Sequence, residues 1–105
     1  MKNTLIAILM IVSCEAFAEN GNYQIYGSGA TTCGSWSVNR KNGRWYDEGQ
    51  WMLGAISAAG YFNVFNLKKS DSNSFALWMD NYCASNPLST VSDGTYKLIL
   101  ELKQE

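Results

Sequence analysis

Hydrophobic positions near the C-terminus recur at steps of three and four, the spacing of one stripe along an α-helix. The stripe consists of Leu88, Val91, Thr95, Leu98 and Leu102. Pro87 suits the first helical position and Asn86 the cap before it, so the pattern predicts a helix that runs to about Lys103. Asp93 and Gly94 resemble a hairpin turn, but the stripe keeps its phase across them. A helix is therefore predicted, although an internal glycine costs it roughly 1 kcal/mol.

A second helix is predicted from Trp45 to Gly60. Its in-phase residues are Trp45, Gly49, Met52, Ile56 and Ala59. The run GAISAAG within it is rich in small residues, as in the dimer seams of some membrane helices. Asp47, Glu48 and Gln50 lie too near for a membrane span, so we interpret the run as a place where a neighbouring helix packs closely.

Two shorter helices complete the predicted set. One follows the cap candidates Asp71, Ser72 and Ser74 and ends near Ser85, because the residue before a proline avoids helical dihedrals. Its buried face contains Phe75, Trp78, Met79 and Tyr82, with Cys83 adjoining. The other begins at Thr31 or Thr32, ends near Asn39 and carries Cys33 and Trp36. The pattern as a whole predicts an all-α fold, a small bundle of about four helices.

The segment YFNVFNLKKSDSNS, which separates two of these helices, is predicted to be a loop. Aromatic and Val residues favour strands, but a lone strand has no partner in a helical chain. Tyr61, Phe62 and Phe65 are then expected to be exposed. Exposed aromatic side chains are typical anchors of protein interfaces, so these three are the candidate partner-binding residues.

Residues 1–18 are predicted to be a signal peptide. Lys2 precedes the apolar run TLIAILMIV, which is too short for a permanent membrane span and has the length of a signal-peptide core. Ala16 and Ala18 predict cleavage after Ala18. In the alternative, IVSC is a lipoprotein signal and Cys14 carries lipid. Either route predicts export to the periplasm, where residues 19–105 form a single helical domain with an irregular N-terminal arm at 19–30.

Cysteine parity predicts one disulfide. Cys14 is either removed or lipidated, which leaves Cys33 and Cys83 for each other in an oxidising compartment. The alternative is two buried free thiols. A zinc site lacks its usual ligands, because the chain has no histidine and no Cys-x-x-Cys spacing.

Composition and charge argue against several other function classes. The formal net charge is −1, which gives no general attraction to nucleic acid or to an anionic membrane. Arg40, Lys41 and Arg44 lie near Trp36 and Trp45, and we interpret them as a solvated turn rather than a nucleic-acid patch.

No motif for catalysis or for a cofactor is present. The absence of histidine excludes Ser-His and Cys-His pairs, and the carboxylates are interpreted as helix caps and solvated faces. Gly27 and Gly29 lack the third glycine and the Gly-Lys-Ser/Thr ending of phosphate-binding loops, so they are interpreted as turn residues. We predict a non-enzyme with no metal and no cofactor.

Four segments together resemble small secreted bacterial proteins of the HdeA-like fold. They are YGSGATTCGSW, QWMLGAISAAG, WMDNYCASNPL and a terminal amphipathic helix ending LILEL. This group includes acid-stress chaperones and the Rap/Tai immunity proteins that neutralise type VI secretion amidases. The resemblance implies a compact helical domain with one structural disulfide, often a homodimer, that acts by binding another protein. Asp93-Gly94 departs from the alanine-rich interior expected in the last helix.

Two functions follow from this resemblance as expectations. In the first, the protein is an immunity or inhibitor protein that binds a secreted toxin or hydrolase. It uses the loop that carries Tyr61, Phe62 and Phe65 or, alternatively, the glycine-rich N-terminal arm. In the second, it is an acid-activated periplasmic chaperone that opens at low pH and holds unfolded clients. Because the chain lacks histidine, no imidazole switch operates near pH 6, and we rank the first function higher.

Overall fold

Four helices and one disulfide organise the part of the chain that the computed structural model describes, residues 23–62 and 66–104. The helices are α1 (Cys33–Lys41), α2 (Tyr46–Tyr61), α3 (Ser72–Ser85) and α4 (Val91–Leu102), and a 3₁₀ turn, Gly27–Ala30, precedes α1. The predicted all-α, disulfide-stapled bundle is confirmed. The predicted signal peptide at 1–18, with Cys14, lies outside the described residues, as does the start of the N-terminal arm.

Three of the helices begin at a residue whose side-chain oxygen accepts a hydrogen bond from the backbone N–H three positions on. The pairs are Thr32 and Ser35 at 3.1 Å, Asp71 and Ser74 at 2.8 Å, and Thr90 and Asp93 at 3.2 Å. Each cap satisfies one of the amide groups that a helix N-terminus leaves without a partner. Asp71, one of the three predicted cap candidates, is the cap of α3, and α1 begins directly after Thr32, one of the two starts predicted for it.

The predicted start of the last helix at Asn86 and Pro87 is wrong. Residues 86–89 form a turn, in which the Ser89 N–H donates to the Asn86 carbonyl at 3.0 Å and the Asn86 side chain donates to the Tyr82 carbonyl at 2.9 Å. The helix begins only after Thr90, and Leu88 is 98% exposed instead of buried. The other members of the predicted stripe, from Val91 to Leu102, are buried.

The disulfide joins the start of α1 to the last turn of α3 within the hydrophobic core. Cys33 and Cys83 are both buried, with their Cα atoms 5.1 Å apart, which confirms the predicted bond. Trp36 and Met79 are fully buried in the same cluster. In this core α1 packs on α3, while α4 packs on both α2 and α3. The bond therefore fixes two helices within the hydrophobic core.

Short backbone contacts tie the segments outside the helices to the bundle. Thr32 and Thr90 form an isolated antiparallel bridge, and Leu67 forms another with Lys103. In the described part of the predicted loop, Leu67 therefore pairs with Lys103 through this single bridge. The described part of the N-terminal arm, which was predicted to be irregular, contains the 3₁₀ turn Gly27–Ala30.

None of the helices in the described ranges is both long and apolar enough to span a bilayer.

Candidate functional site

Two of the three predicted partner-binding aromatics lie side by side on the surface. Tyr61 is the last residue of α2 and Phe62 caps its C-terminus. Their ring centroids are 5.0 Å apart with an interplanar angle of 84°, an edge-to-face contact. The side chains are 81% and 70% exposed, as predicted. Phe65 lies outside the described residues.

Phe62 borders an open apolar groove between α2 and α4, with a volume of about 480 Å³. The other lining residues of this α2–α4 groove are Ala55, Ala58, Ala59, Tyr96, Ile99 and Leu100. Leu100 is 56% exposed, so the apolar surface faces solvent. With the aromatic pair at its edge, the groove forms a continuous apolar surface of the kind that marks interaction sites.

Sequence reasoning missed this groove. The small residues of GAISAAG were predicted to receive a tightly packed helix, but a Cβ added at Gly54 or Gly60 would meet no atom within 4 Å. The prediction of close packing is therefore wrong at these positions, and the alanines of the same run line open surface. The available signal was a second stripe on α4, Tyr96, Ile99 and Leu100, offset from the stripe that fills the core.

An aromatic cluster beside Tyr96 fixes the position of that side chain in the groove. Tyr96 contacts Tyr23 edge to face and Trp51 at a tilt, both with ring centroids 6.1 Å apart. The Trp51 indole N–H donates to the Tyr26 carbonyl at 2.7 Å, and a Cβ at Gly29 would overlap the Trp51 ring. Close approach to this ring is the reason for a glycine at position 29.

Burial, and then the nearby Tyr23 and Asp93, raise the pKa of the Tyr96 hydroxyl above its usual value. The hydroxyl therefore stays protonated at neutral pH. Tyr96 offers an aromatic face and a neutral hydrogen-bonding group to whatever enters the groove.

A second concavity, the α2–α3 pocket, has a volume of about 390 Å³. Its apolar lining comes from buried or half-buried side chains, Trp45, Met52, Leu53, Phe75 and Ala76. Exposed residues complete it: Gly43, Tyr46, Gln50, Ser72 and Asn73. Apolar pockets with a few convergent polar groups are the usual form of ligand sites.

Arg40 is not part of a solvated turn, contrary to the sequence interpretation. Its guanidinium donates to both carboxylate oxygens of Asp80, the shortest distance being 2.7 Å, and lies 4.8 Å from the centre of the Trp45 ring. The Trp36 indole N–H donates to the same carboxylate at 2.8 Å. This network joins α1 to α3, whereas Lys41 and Arg44 are exposed as predicted.

The protonation of Asp80 is tuned by this network. Partial burial disfavours the charged carboxylate, but the hydrogen bonds from Arg40 and Trp36 and the Arg40 charge outweigh burial and lower the pKa of Asp80. The Arg40–Asp80 pair is therefore ionised throughout the neutral range.

Several carboxylates have specific structural partners. Glu48 accepts from the Asn39 side chain at 2.7 Å, Asp93 from Ser89 at 3.1 Å, and Glu101 from the Trp78 indole at 3.1 Å. Glu48 is only 5% exposed, so its interpretation as a cap or a solvated residue is wrong. Asp71 does cap α3, and its hydrogen bonds to the backbone and side chain of Ser74 lower its pKa. Within residues 23–62 and 66–104, no group of three or more Cys, Asp or Glu residues is placed to hold a metal ion.

Comparison with known protein families, with curated proteins and with solved structures finds no match to this chain.

Proposed function

We propose that the protein is an exported periplasmic protein-binding module that inhibits a secreted toxin or hydrolase, in the manner of an immunity protein. The observation that carries this proposal is the exposed Tyr61–Phe62 pair at the edge of the α2–α4 groove. The proposal also draws on the resemblance to the HdeA-like proteins and on the signal peptide predicted from the sequence.

The pair has the properties of an interface anchor. Aromatic side chains bury a large area at a small cost in conformational entropy, because they have only two rotatable side-chain bonds. The edge-to-face contact between Tyr61 and Phe62 further limits their rotamers before a partner arrives. Ordering that is already present in the free protein lowers the cost of binding.

The chemistry of the groove favours binding over proton transfer. Its lining residues are apolar apart from the Tyr96 hydroxyl, whose raised pKa keeps it neutral. A general acid or base needs a pKa near the working pH. The α2–α4 groove therefore supplies contact area and a neutral hydrogen-bonding group.

The test is inhibition of a panel of purified secreted peptidoglycan amidases by the oxidised protein. For an amidase that is inhibited, calorimetry compares the wild type with Tyr61→Ala/Phe62→Ala and with the triple variant that adds Phe65→Ala. We expect the double variant to weaken binding by at least about tenfold, the effect of losing one interface hot spot.

Tyr26→Ala is the matched control. This tyrosine is 78% exposed, and only its backbone carbonyl takes part in the Trp51 hydrogen bond. Its replacement should leave affinity unchanged, and circular dichroism should show that all variants are folded. If the triple variant binds as tightly as the wild type, the aromatic pair is not the binding surface.

The Arg40–Asp80 network favours a second candidate function, an acid-activated chaperone. The ionic part of this network links α1 to α3 while Asp80 is ionised, so acid weakens a contact that holds the bundle together. The test is suppression of acid-induced aggregation of a client enzyme, followed by light scattering. If Asp80→Asn shifts the onset of suppression to higher pH, this function displaces the first, and no suppression by the wild type excludes it.

A further inference from the structure

We infer that the α2–α3 pocket is a second binding site, which takes an uncharged apolar side chain presented on an extended peptide. The pocket lies between the first turns of α2 and the start of α3, and shares no lining residue with the α2–α4 groove. The inference therefore stands or falls separately from the proposed function.

The apolar wall of the pocket is held in place before any ligand binds. The Trp45 ring has the Arg40 guanidinium 4.8 Å from its centre and meets the Trp36 ring edge to face at 5.9 Å. A Cβ added at Gly49 would come within 2.9 Å of the same ring, so the glycine permits the backbone of α2 to approach it. A wall fixed by such contacts needs no rearrangement to receive an apolar group, which favours binding.

The volume and the lining define the apolar part of the ligand. A volume of about 390 Å³ lies at the lower end of the range of ligand pockets. None of the residues that line it carries a charge, so a charged group entering the pocket would lose hydration without gaining an ionic partner. The occupant is therefore an uncharged apolar group.

The rim defines the polar part of the ligand. Gln50 and Asn73 are exposed at the pocket, and each amide offers one carbonyl acceptor and an NH₂ donor. A peptide group has the complementary donor and acceptor. Nowhere in the described ranges does either amide make a side-chain hydrogen bond to the protein, so both can exchange water for a peptide backbone.

The experiment is an NMR titration of the purified oxidised protein with three neutral-ended tripeptides. They are acetyl-Ala-Leu-Ala-amide, acetyl-Ala-Ala-Ala-amide and acetyl-Ala-Glu-Ala-amide. The signals of Trp45, Met52 and Leu53 report on the pocket, and those of Phe62 and Leu100 report on the groove. We expect the leucine peptide to shift the pocket signals and to bind at least about fivefold more tightly than the alanine peptide, because it buries three more carbons.

A pair of double variants tests the amides. Gln50→Ala/Asn73→Ala should weaken binding of the leucine peptide by about tenfold, the loss expected for two neutral hydrogen bonds. Gln24→Ala/Asn81→Ala removes one exposed Gln and one exposed Asn outside the pocket and should leave the affinity unchanged.

Four results would overturn the inference. The first three are an absence of pocket shifts at millimolar peptide, equal affinity for the glutamate and leucine peptides, and an unchanged affinity in the Gln50→Ala/Asn73→Ala variant. The fourth is equal binding of acetyl-leucine-amide and the leucine tripeptide, since the pocket would then recognise a small molecule rather than an extended peptide. The amidase assay is unaffected by any of these results, so the two proposals fail separately.

Discussion

Arg40 shows that the contribution of a side chain to stability depends on the partner that the fold places opposite it. Its guanidinium makes a two-point contact with Asp80 and lies over Trp45, an arrangement that a lysine ammonium does not reproduce. Lys41, the next residue, is exposed. In the sequence the two look alike, because the carboxylate that distinguishes them comes from α3, forty residues later.

Arg40→Ala should therefore destabilise the protein and Lys41→Ala should not. Losing charge-assisted hydrogen bonds and the contact with Trp45 is expected to lower the free energy of unfolding by about 2 kcal/mol. Replacing an exposed lysine on the same helix changes it by less than about 0.5 kcal/mol. Urea unfolding of both variants at neutral pH measures the difference, and equal midpoints would show that the pair in α1 and α3 contributes nothing.

Asp80 gives this contact a defined pH dependence. Since the folded-state pKa of Asp80 is lowered, its stabilisation is fully present above the pKa of the unfolded chain, about 4. The stabilisation is lost as pH falls through the lowered pKa. The stability difference between wild type and Asp80→Asn should thus be constant from pH 7 to about 5 and shrink below about pH 4. A difference that stays constant to pH 2 would show that the Asp80 pKa is not lowered by folding.

At the scale of elements, the crossing of α3 and α4 depends on a glycine that sequence rules treat as a weakness. A Cβ at Gly94 would lie 2.6 to 2.8 Å from atoms of Met79 and Tyr82, closer than real contacts permit. The close approach of the two helices offsets the lower helix propensity of glycine at this position. The departure from an alanine-rich pattern at Asp93-Gly94 therefore has a packing reason.

Gly94→Ala and Gly54→Ala should change stability in opposite directions. Both glycines lie inside helices, so alanine improves helix propensity at each by about 1 kcal/mol. At Gly54 nothing lies within 4 Å of the new Cβ, and the variant should be more stable. At Gly94 overpacking costs about 1 to 3 kcal/mol, so the variant should be less stable overall. Thermal unfolding of the two variants checks the sign, and stabilisation of both would mean that α3 and α4 separate at little cost.

The helices could be predicted because local signals specify them. Asp71 caps α3 and the stripe from Val91 to Leu102 fills one side of the core, both as expected. The predicted start of α4 was wrong because two cap signals compete. One is Asn86 followed by Pro87, and the other is Thr90 followed by Asp93. The second wins, since Thr90 also forms the bridge with Thr32, a long-range contact that no local pattern contains.

The candidate sites were less predictable than the helices. The exposure of Tyr61 and Phe62 was predicted correctly from a segment interpreted as a loop, although Tyr61 is the last residue of α2. The α2–α4 groove and the α2–α3 pocket depend on where helices diverge, and spacing along one helix does not determine the distance to the next. The alanines of GAISAAG fit either a packed seam or an open floor. The positions of Tyr96, Ile99 and Leu100 on α4 decide between them.

At the scale of the whole molecule, the disulfide holds α1 and α3 together across 50 residues of chain. A small domain buries a smaller fraction of its surface on folding than a large one does, so this constraint should supply a large part of its stability. Replacing Cys33 and Cys83 together by Ser should lower the free energy of unfolding by about 4 kcal/mol in the chain-entropy treatment. Guanidinium unfolding with and without reductant gives the same comparison on the wild type. A loss below about 1 kcal/mol would mean that packing around Trp36 and Met79 suffices.

The response of the whole bundle to acid separates the two functions proposed for it. Asp80 and Asp71 both have lowered pKa values, so their stabilisation is kept above about pH 4 and lost below it, while the disulfide does not titrate. We therefore expect tryptophan fluorescence and light-scattering mass to stay constant from pH 7 to about 4. Because Trp36 is fully buried in the folded state, its fluorescence reports unfolding. Asp80→Asn, which lacks one of these groups, should show a smaller change below that pH.

An inhibitor needs only the folded surface at neutral pH, whereas a chaperone must dissociate or open in acid, expose apolar surface and remain soluble. If the wild-type protein opens in this way and binds a hydrophobic dye, chaperone activity becomes the leading function. If it stays folded to pH 2, the chaperone function is excluded and inhibition remains the proposed function.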